Sequence, residues 1–259
     1  MLSFLCAAGE SILTVMEMFC FLLLIVKNDK IIIINSLDIR EEIEEVIMNK
    51  IKTDGIIFDM DGTIWDNTPV FAASWTRAAR EMGYDIQFTP KTLMGLFGKT
   101  MTDIADACIP DENPDRRYKT LELCEEYEMQ DLIKSDEDTC YPGLEAVLKA
   151  LSQRTKLFIV SNCQSGYIET FIELSGFGKY FTDFICYGDN GLGKADNIKG
   201  IVAKNGLKHP VYIGDIQGDK DACDTAGVDF IWAAYGYGES VDGYIAKIED
   251  IKELDGLID

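Results

Sequence analysis

From Gly55 onward the chain alternates short runs dense in β-branched and aromatic residues with longer stretches whose apolar positions recur at helical spacing. The segments GIIFDMD, KLFIVSN, DFICYGD, PVYIGD and DFIWAAYG read as strands. Helical stretches separate them, which predicts an α/β fold with a mainly parallel sheet. Four of the runs end in, or lead straight into, Asp59, Ser161, Asp189 and Asp215. Ligands bind beyond the carboxyl ends of strands in such sheets, so these four side chains are expected to converge on one crevice.

Between the first and second strands, from Thr68 to Tyr141, no strand is predicted. VFAASWTRAAREMG carries apolar residues at i, i+3, i+4 spacing and stops at Gly83, TLMGLFGKTMTDIADACI reads as a second amphipathic stretch, and NPDRRYKTLELCEEYEMQDLIK continues the pattern. YPGLEAVLKALSQR starts the return helix with Pro142 and Gly143 near its beginning. The expected organisation is a helical cap domain over 68–141, inserted into a core made of 48–67 and 142–259.

Residues 1–47 stand apart as an extension. The run SILTVMEMFCFLLLIV, 11–26, approaches the roughly 17–25 apolar residues of a membrane span, but Glu17 interrupts it and no basic residue precedes it. Met48 falls just before the first core strand, and Glu44, Glu45 and Val46 can be encoded as a purine-rich stretch resembling a ribosome-binding sequence. The expectation is that Met48 is the natural start; a membrane anchor and an extra helix docked on the domain are the alternatives.

Charge narrows the partners. With 24 basic against 45 acidic residues the net charge is −21, which opposes nonspecific attraction to nucleic acid or anionic lipid. An anionic substrate would need locally positive charge. Eight cysteines without a CxxC pair and a single histidine, His209, which looks structural, do not suggest a Cys/His zinc site. Reduced thiols in a cytoplasmic protein are expected.

The chemistry concentrates in DMDGT, residues 59–63. Alternate residues of a strand share a face, so Asp59 and Asp61 can act together, one carboxylate as nucleophile and its neighbour as acid and base. Adding Asp215 and Asp219 of IGDIQGD brings four negative charges towards one place. Like charges 4 Å apart repel by about 4 kcal/mol at an effective dielectric near 20, more than Lys194 alone offsets. A hard divalent cation would, and Mg²⁺ is the natural candidate because it also bridges to phosphate.

In this order, DxDGT at Asp59–Thr63, Ser161 at the end of FIVSN, Lys194 in GLGKADNIK and the GDxxxD pattern of Asp215 and Asp219 resemble the four signatures of the haloacid dehalogenase superfamily, over about Ile56 to Gly238. The resemblance implies a Rossmann-like core with an inserted α-helical cap. It implies a Mg²⁺-dependent phosphatase acting on a small phosphorylated metabolite, similar to phosphoglycolate phosphatases. Asp59 would form an aspartyl-phosphate, and Asp61 would protonate the leaving alcohol and then activate water. Thr63, Ser161 and Asn162 would bind the phosphoryl group, and Lys194 would neutralise charge, with Lys199 a weaker alternative because Ala195 and Asp196 depart from the usual KPxP flank. Metal ligation would come from the Asp59 and Asp215 side chains and the Asp61 carbonyl, supported by Asp219.

Cap residues are expected to set specificity, with Lys99 of GLFGKTM meeting a second anionic group. Asn67 and Thr68, at the hinge leading into the cap, are expected either to face the substrate or to end the strand-loop segment, and Trp65, Trp75 and Phe97 are expected to pack. Asp61 argues against a dehalogenase. A β-phosphoglucomutase-type phosphomutase, a phosphonoacetaldehyde hydrolase using Lys99, and a noncatalytic binding protein on the same scaffold are the other readings.

Overall fold

The computed structural model describes residues 23–27, 30–34, 50–135 and 138–259. The chain divides into two compact units at Lys50 and Ile51. In the first, β1 (Leu23–Lys27) pairs antiparallel with β2 (Lys30–Ile34), Leu23 opposite Ile34. The end of the apolar run expected as an anchor or an extra helix is therefore strand; residues 11–22 and Met48 lie outside the described residues. No helix among the described residues is long and apolar enough to cross a membrane.

The second unit opens with β3 (Gly55–Phe58), followed by α1 (Thr68–Glu81), α2 (Pro90–Met94), α3 (Met101–Cys108) and α4 (Pro114–Lys134). Then come α5 (Leu144–Leu151), β4 (Lys156–Ser161), α6 (Tyr167–Ser175), β5 (Phe181–Cys186), α7 (Tyr187–Asn190) and α8 (Lys194–Asn205). The chain closes with β6 (Pro210–Gly214), α9 (Gln217–Ala226), β7 (Asp229–Ala233), β8 (Ala246–Ile248) and α10 (Leu254–Leu257).

Strands β3 to β8 form one parallel sheet in the order β5-β4-β3-β6-β7-β8. The α/β class and parallel sheet expected from the sequence are borne out. Sitting between β4 and β6, β3 is buried along its whole length, as a central strand covered on both faces must be. Its side chains alternate between two cores: Ile56 and Phe58 join one cluster, Ile57 the other with Phe158, Tyr212 and Phe230. The first cluster runs on into α1 through Phe71 and Trp75, so the helical insertion shares the core of one sheet face.

Within the insertion, α1 and α4 pack together. The inward stripe of α4 is Leu121, Cys124, Glu128 and Leu132, all buried at helical spacing, which puts a carboxylate in a position reserved for apolar side chains.

Three local details differ from the sequence expectation. TLMGLFGKTMTDIADACI is two helices, because the chain turns at Gly98 with φ +84° and Thr100 caps α3 by accepting from the Asp103 amide. β8 is only three residues long and gave no alternating pattern. DFICYGD stops as a strand at Cys186; Asp189 belongs to α7, where its carboxylate accepts from the Cys186 amide at 3.0 Å and the Ser165 hydroxyl at 2.8 Å, away from the crevice.

Helix α7 holds the segment after β4 through a close backbone approach. Gly188 N donates to Cys163 O at 3.0 Å, and a Cβ on Gly188 would lie 2.0 Å from Ser165 N and 2.5 Å from the Gln164 carbonyl carbon. Gly188→Ala should therefore push residues 163–165 aside and cost about 1–3 kcal/mol of unfolding free energy in urea titration; wild-type stability would refute this close packing.

Candidate active site

The strand ladder continues one residue past β3, with Asp59 N donating to Ile213 O at 2.9 Å. The chain then turns tightly, Thr63 N and Ile64 N both donating to Met60 O at 3.1 and 2.9 Å. Gly62 carries φ +80°, and a Cβ there would lie 2.2 Å from Asp215 Oδ2. Glycine is thus required both by conformation and by the approach of the β6 end to the β3 end.

Asp215 follows β6 directly. Its Oδ2 accepts from Tyr237 N at 2.6 Å, its Oδ1 lies 3.5 Å from the donor Thr63 Oγ1, and its carbonyl accepts from Trp232 Nε1 at 3.0 Å. Asp219, in the first turn of α9, closes the loop on itself by accepting the Asp215 and Ile216 amides at 3.1 and 3.2 Å on Oδ2. Its Oδ1 accepts from Lys194 Nζ at 2.5 Å, and the same ammonium lies 3.0 Å from Asp59 Oδ1. Lys194, the first residue of α8, is buried between the two carboxylates, whereas Lys199 is exposed and lies 3.9 Å from Asp196.

Asp59, Asp215 and Asp219 each present a carboxylate oxygen within 4.8 Å of the others, all buried. These donors suit a hard cation. Asp219 has both oxygens engaged and Asp59 Oδ1 contacts the Lys194 ammonium, so one lysine stands against three buried carboxylates. Buried carboxylates in such excess are costly unless a further cation joins them, and Asp59 together with Asp215, which has no ion pair among the described residues, is the pair fitted to hold a divalent metal.

Burial pushes Asp59 up to about 6, with Lys194 working against the rise and Asp219 adding to it. Burial likewise drives Asp215 well above the carboxylate range, helped by Asp219 and Asp59. For Lys194 burial acts downward, but the charges of Asp219 and Asp59 outweigh it and the ammonium is held above its ordinary value. Burial raises half-buried Asp61 to about 7, opposed by the hydrogen bond from Tyr167 and reinforced by Asp59.

A relay orients Asp61. Tyr167 OH donates to Asp61 Oδ1 at 2.7 Å and accepts from Asn67 Nδ2 at 3.1 Å, so the asparagine expected either to face the substrate or to end the strand-loop segment fixes the tyrosine hydroxyl.

These groups open into a chamber of about 450 Å³ of non-protein space, its mouth included. Asp59, Asp61, Ser161, Asn162 and Lys99 line it, as the sequence suggested, while Thr63 does not: its side chain is buried and faces Asp215. Asn162 Nδ2 donates to Gly98 O at 2.9 Å, tying the β4 end to the α2–α3 turn, and leaves its own Oδ1 without a partner. Lys99 is exposed, and His209 is exposed and remote, its amide donating to Asp54.

Several contributors to the chamber escaped the sequence. Glu128, Gln164 and Tyr167 line it, and Phe71, Trp75 and Phe97 supply aromatic walls where only packing was expected of the last two. Glu128 is buried, accepting from Trp75 Nε1 and Gln164 Nε2, each at 2.5 Å. Burial drives its carboxyl well above the usual range, against those two hydrogen bonds. Its place in the inward stripe of α4 was the available signal.

A family model of haloacid dehalogenase-like hydrolases matches residues 56–233. The chain belongs to that family. Among similar proteins, the pyrophosphatase PpaX of Oceanobacillus iheyensis is 26% identical over 210 residues, covering 77% of this chain and 94% of the relative. A phosphoglycolate phosphatase of Vibrio vulnificus is 28% identical over 198 residues, covering 70% and 84%. The fold matches that of a haloacid dehalogenase-like hydrolase from Streptococcus pneumoniae with TM-score 0.69 at 19% identity, over 78% of this chain and 96% of that one. The hydrolase family expected from the sequence is borne out, with phosphatases among the relatives.

The raised Asp61 has a measurable consequence. An acid whose folded value stands at about 7 against 3.8 unfolded contributes stability below pH 4 that is lost as pH rises through 7. Asp61→Asn, measured in chelator, should be more stable than wild type at pH 8 by on the order of 1–3 kcal/mol, and the gap should close towards pH 4. A gap independent of pH would contradict the burial of this charge.

Proposed function

We propose that the protein is a Mg²⁺-dependent phosphatase that hydrolyses a small phosphorylated metabolite through an aspartyl-phosphate on Asp59. The observation that carries this reading is the buried Asp59–Asp215–Asp219 cluster, three carboxylates against the Lys194 ammonium, with Asp61 held by Tyr167 on the wall of the same chamber. The Asp59 and Asp215 side chains and the Asp61 carbonyl would hold Mg²⁺. Bound there, the ion screens the carboxylates from the phosphate and polarises the phosphoryl group.

Asp59 attacks phosphorus, forming a carboxyl oxygen–phosphorus bond as the ester oxygen–phosphorus bond breaks. The departing alkoxide takes its proton from Asp61, whose value near 7 leaves a substantial protonated fraction at neutral pH. Asp61, now ionised, then removes a proton from water, which attacks phosphorus, releases inorganic phosphate and restores the Asp59 carboxylate. Ser161, at the end of β4, would donate its hydroxyl to a phosphoryl oxygen, Asn162 would add only the second hydrogen of the Nδ2 that also holds Gly98 O, and Lys194 would keep Asp59 charged for attack. Residues 68–141 act as a cap over this chamber. Six free thiols among the described cysteines fit the proposed cytoplasmic setting.

Phosphate release from 4-nitrophenyl phosphate and a panel of small phosphomonoesters should require Mg²⁺, and Asp59→Asn should lower kcat at least about 10³-fold. Turnover that survives in chelator, or in the folded Asp59→Asn protein, would remove this reading. Tyr167→Phe should lower kcat about tenfold and move the pH limb governed by Asp61 upward, because the lost hydrogen bond favoured the ionised form. An unmoved limb would detach Tyr167 from Asp61.

A further inference from the structure

Glu128 is an acid of the chamber that hydrolysis at Asp59 leaves unused. It reaches the site from α4, between Cys124 and Leu132 of a stripe that is otherwise apolar around it, and only 2% of its surface is exposed. Both partners it has, Trp75 Nε1 and Gln164 Nε2, are neutral donors. Among the described residues no lysine or arginine forms an ion pair with it. A buried carboxyl without a cation is held as the neutral acid, and a cation arriving with a ligand would favour its ionised form and complete the missing ion pair.

The walls beside it select the same kind of group. Phe71, Trp75, Phe97 and Tyr167 line the chamber, and aromatic faces attract cations, most strongly where water is excluded. Asp61 lies close enough to Glu128 to add to its charge field. A carboxylate on the leaving alcohol would face this acidic, aromatic wall with exposed Lys99 as the one cation among the chamber-lining residues described.

We propose that Glu128 and the surrounding aromatic rings recognise an ammonium group on the leaving alcohol, so that the substrates are amino-alcohol phosphate monoesters rather than phosphorylated carboxylic acids. This rests on the phosphatase reading above and deepens it. Glu128 is a specificity-determining residue: it accepts a hydrogen bond from the ammonium while Trp75 and Gln164 hold its two oxygens in place. The amine nitrogen takes no part in the bond changes at phosphorus.

Three esters of nearly equal size test this: 2-aminoethyl phosphate, 2-hydroxyethyl phosphate and 2-phosphoglycolate, which differ in the charge of the terminal group. In the wild-type protein with Mg²⁺, kcat/KM for the aminoethyl ester should exceed that for 2-phosphoglycolate by about tenfold or more, mainly through KM. Glu128→Gln should reduce that ratio to within about threefold. A wild-type protein that hydrolyses 2-phosphoglycolate as well as the aminoethyl ester, or a Glu128→Gln protein that keeps the wild-type ratio, overturns the assignment. The wild-type ratio needs no variant and decides the matter even if Glu128→Gln does not fold. Hydrolysis of 4-nitrophenyl phosphate separates the two readings: if it proceeds while the aminoethyl preference is absent, the phosphatase stands and the recognition of ammonium falls; if neither it nor any of the three esters is hydrolysed, both fall.

Discussion

The contact on which this site depends is the Lys194 ammonium lodged between Asp219 at 2.5 Å and Asp59 at 3.0 Å. Four carboxylates, Asp59, Asp61, Asp215 and Asp219, are gathered at the ends of two adjacent strands, and among the described residues Lys194 is the lysine buried with them. The remaining charge is managed by backbone donors: the amides of Asp215, Ile216 and Tyr237 point at carboxylate oxygens. Such arrangements favour an anion without neutralising it, so the cluster retains the need for a further cation. Negative charge stays concentrated there, since Asp59 and Asp219 share Lys194 and Asp215 has no ion pair among the described residues.

The parallel sheet makes that concentration possible. β3 is central, and its neighbours β4 and β6 deliver Ser161 and Asp215 to either side of the turn that begins at Asp59, one residue beyond its level, because Phe58 pairs with Ile159 on one side and Ile213 on the other. Glycines then permit the closing approaches. Without a Cβ at Gly62 the β3 turn comes within reach of the Asp215 carboxylate. Burial on both faces of β3 supplies the stability against which these costs are set.

Much of this was legible because it is local. A strand followed by Asp-x-Asp-Gly, a strand ending in serine and a strand followed by Gly-Asp specify their own geometry within a few residues, and Asp59, Asp61, Ser161, Lys194, Asp215 and Asp219 are all brought to the crevice. Thr63 was misplaced because a turn aims its residues in directions that spacing does not fix; it faces Asp215 instead of the chamber. Asp189 looked like another strand-end ligand, but the chain enters α7 immediately and uses the carboxylate as a cap. Glu128 was hidden for a different reason. In LCEEYEMQ it is one acid among several, and only the packing of α4 on α1 decides which of them turns inward.

Contacts between the insertion and the sheet also explain why recognition and enclosure cannot be separated here. Two polar bridges cross from the segment after β4 to the insertion: Asn162 to the Gly98 carbonyl and Gln164 to Glu128. Both lie on the chamber wall. Phe97, on the same turn as Gly98, packs against Phe71 and Trp75 on one side and Tyr237 on the other, and Tyr237 donates its amide to Asp215. A group that engages Glu128 therefore acts on Gln164, on the Trp75 ring and through Phe97 on the loop that holds Asp215. The side chains that would sense the alcohol are mechanically continuous with those that hold the charge at Asp59, which is the coupling a hydrolase needs if binding energy from the leaving group is to be expressed at phosphorus.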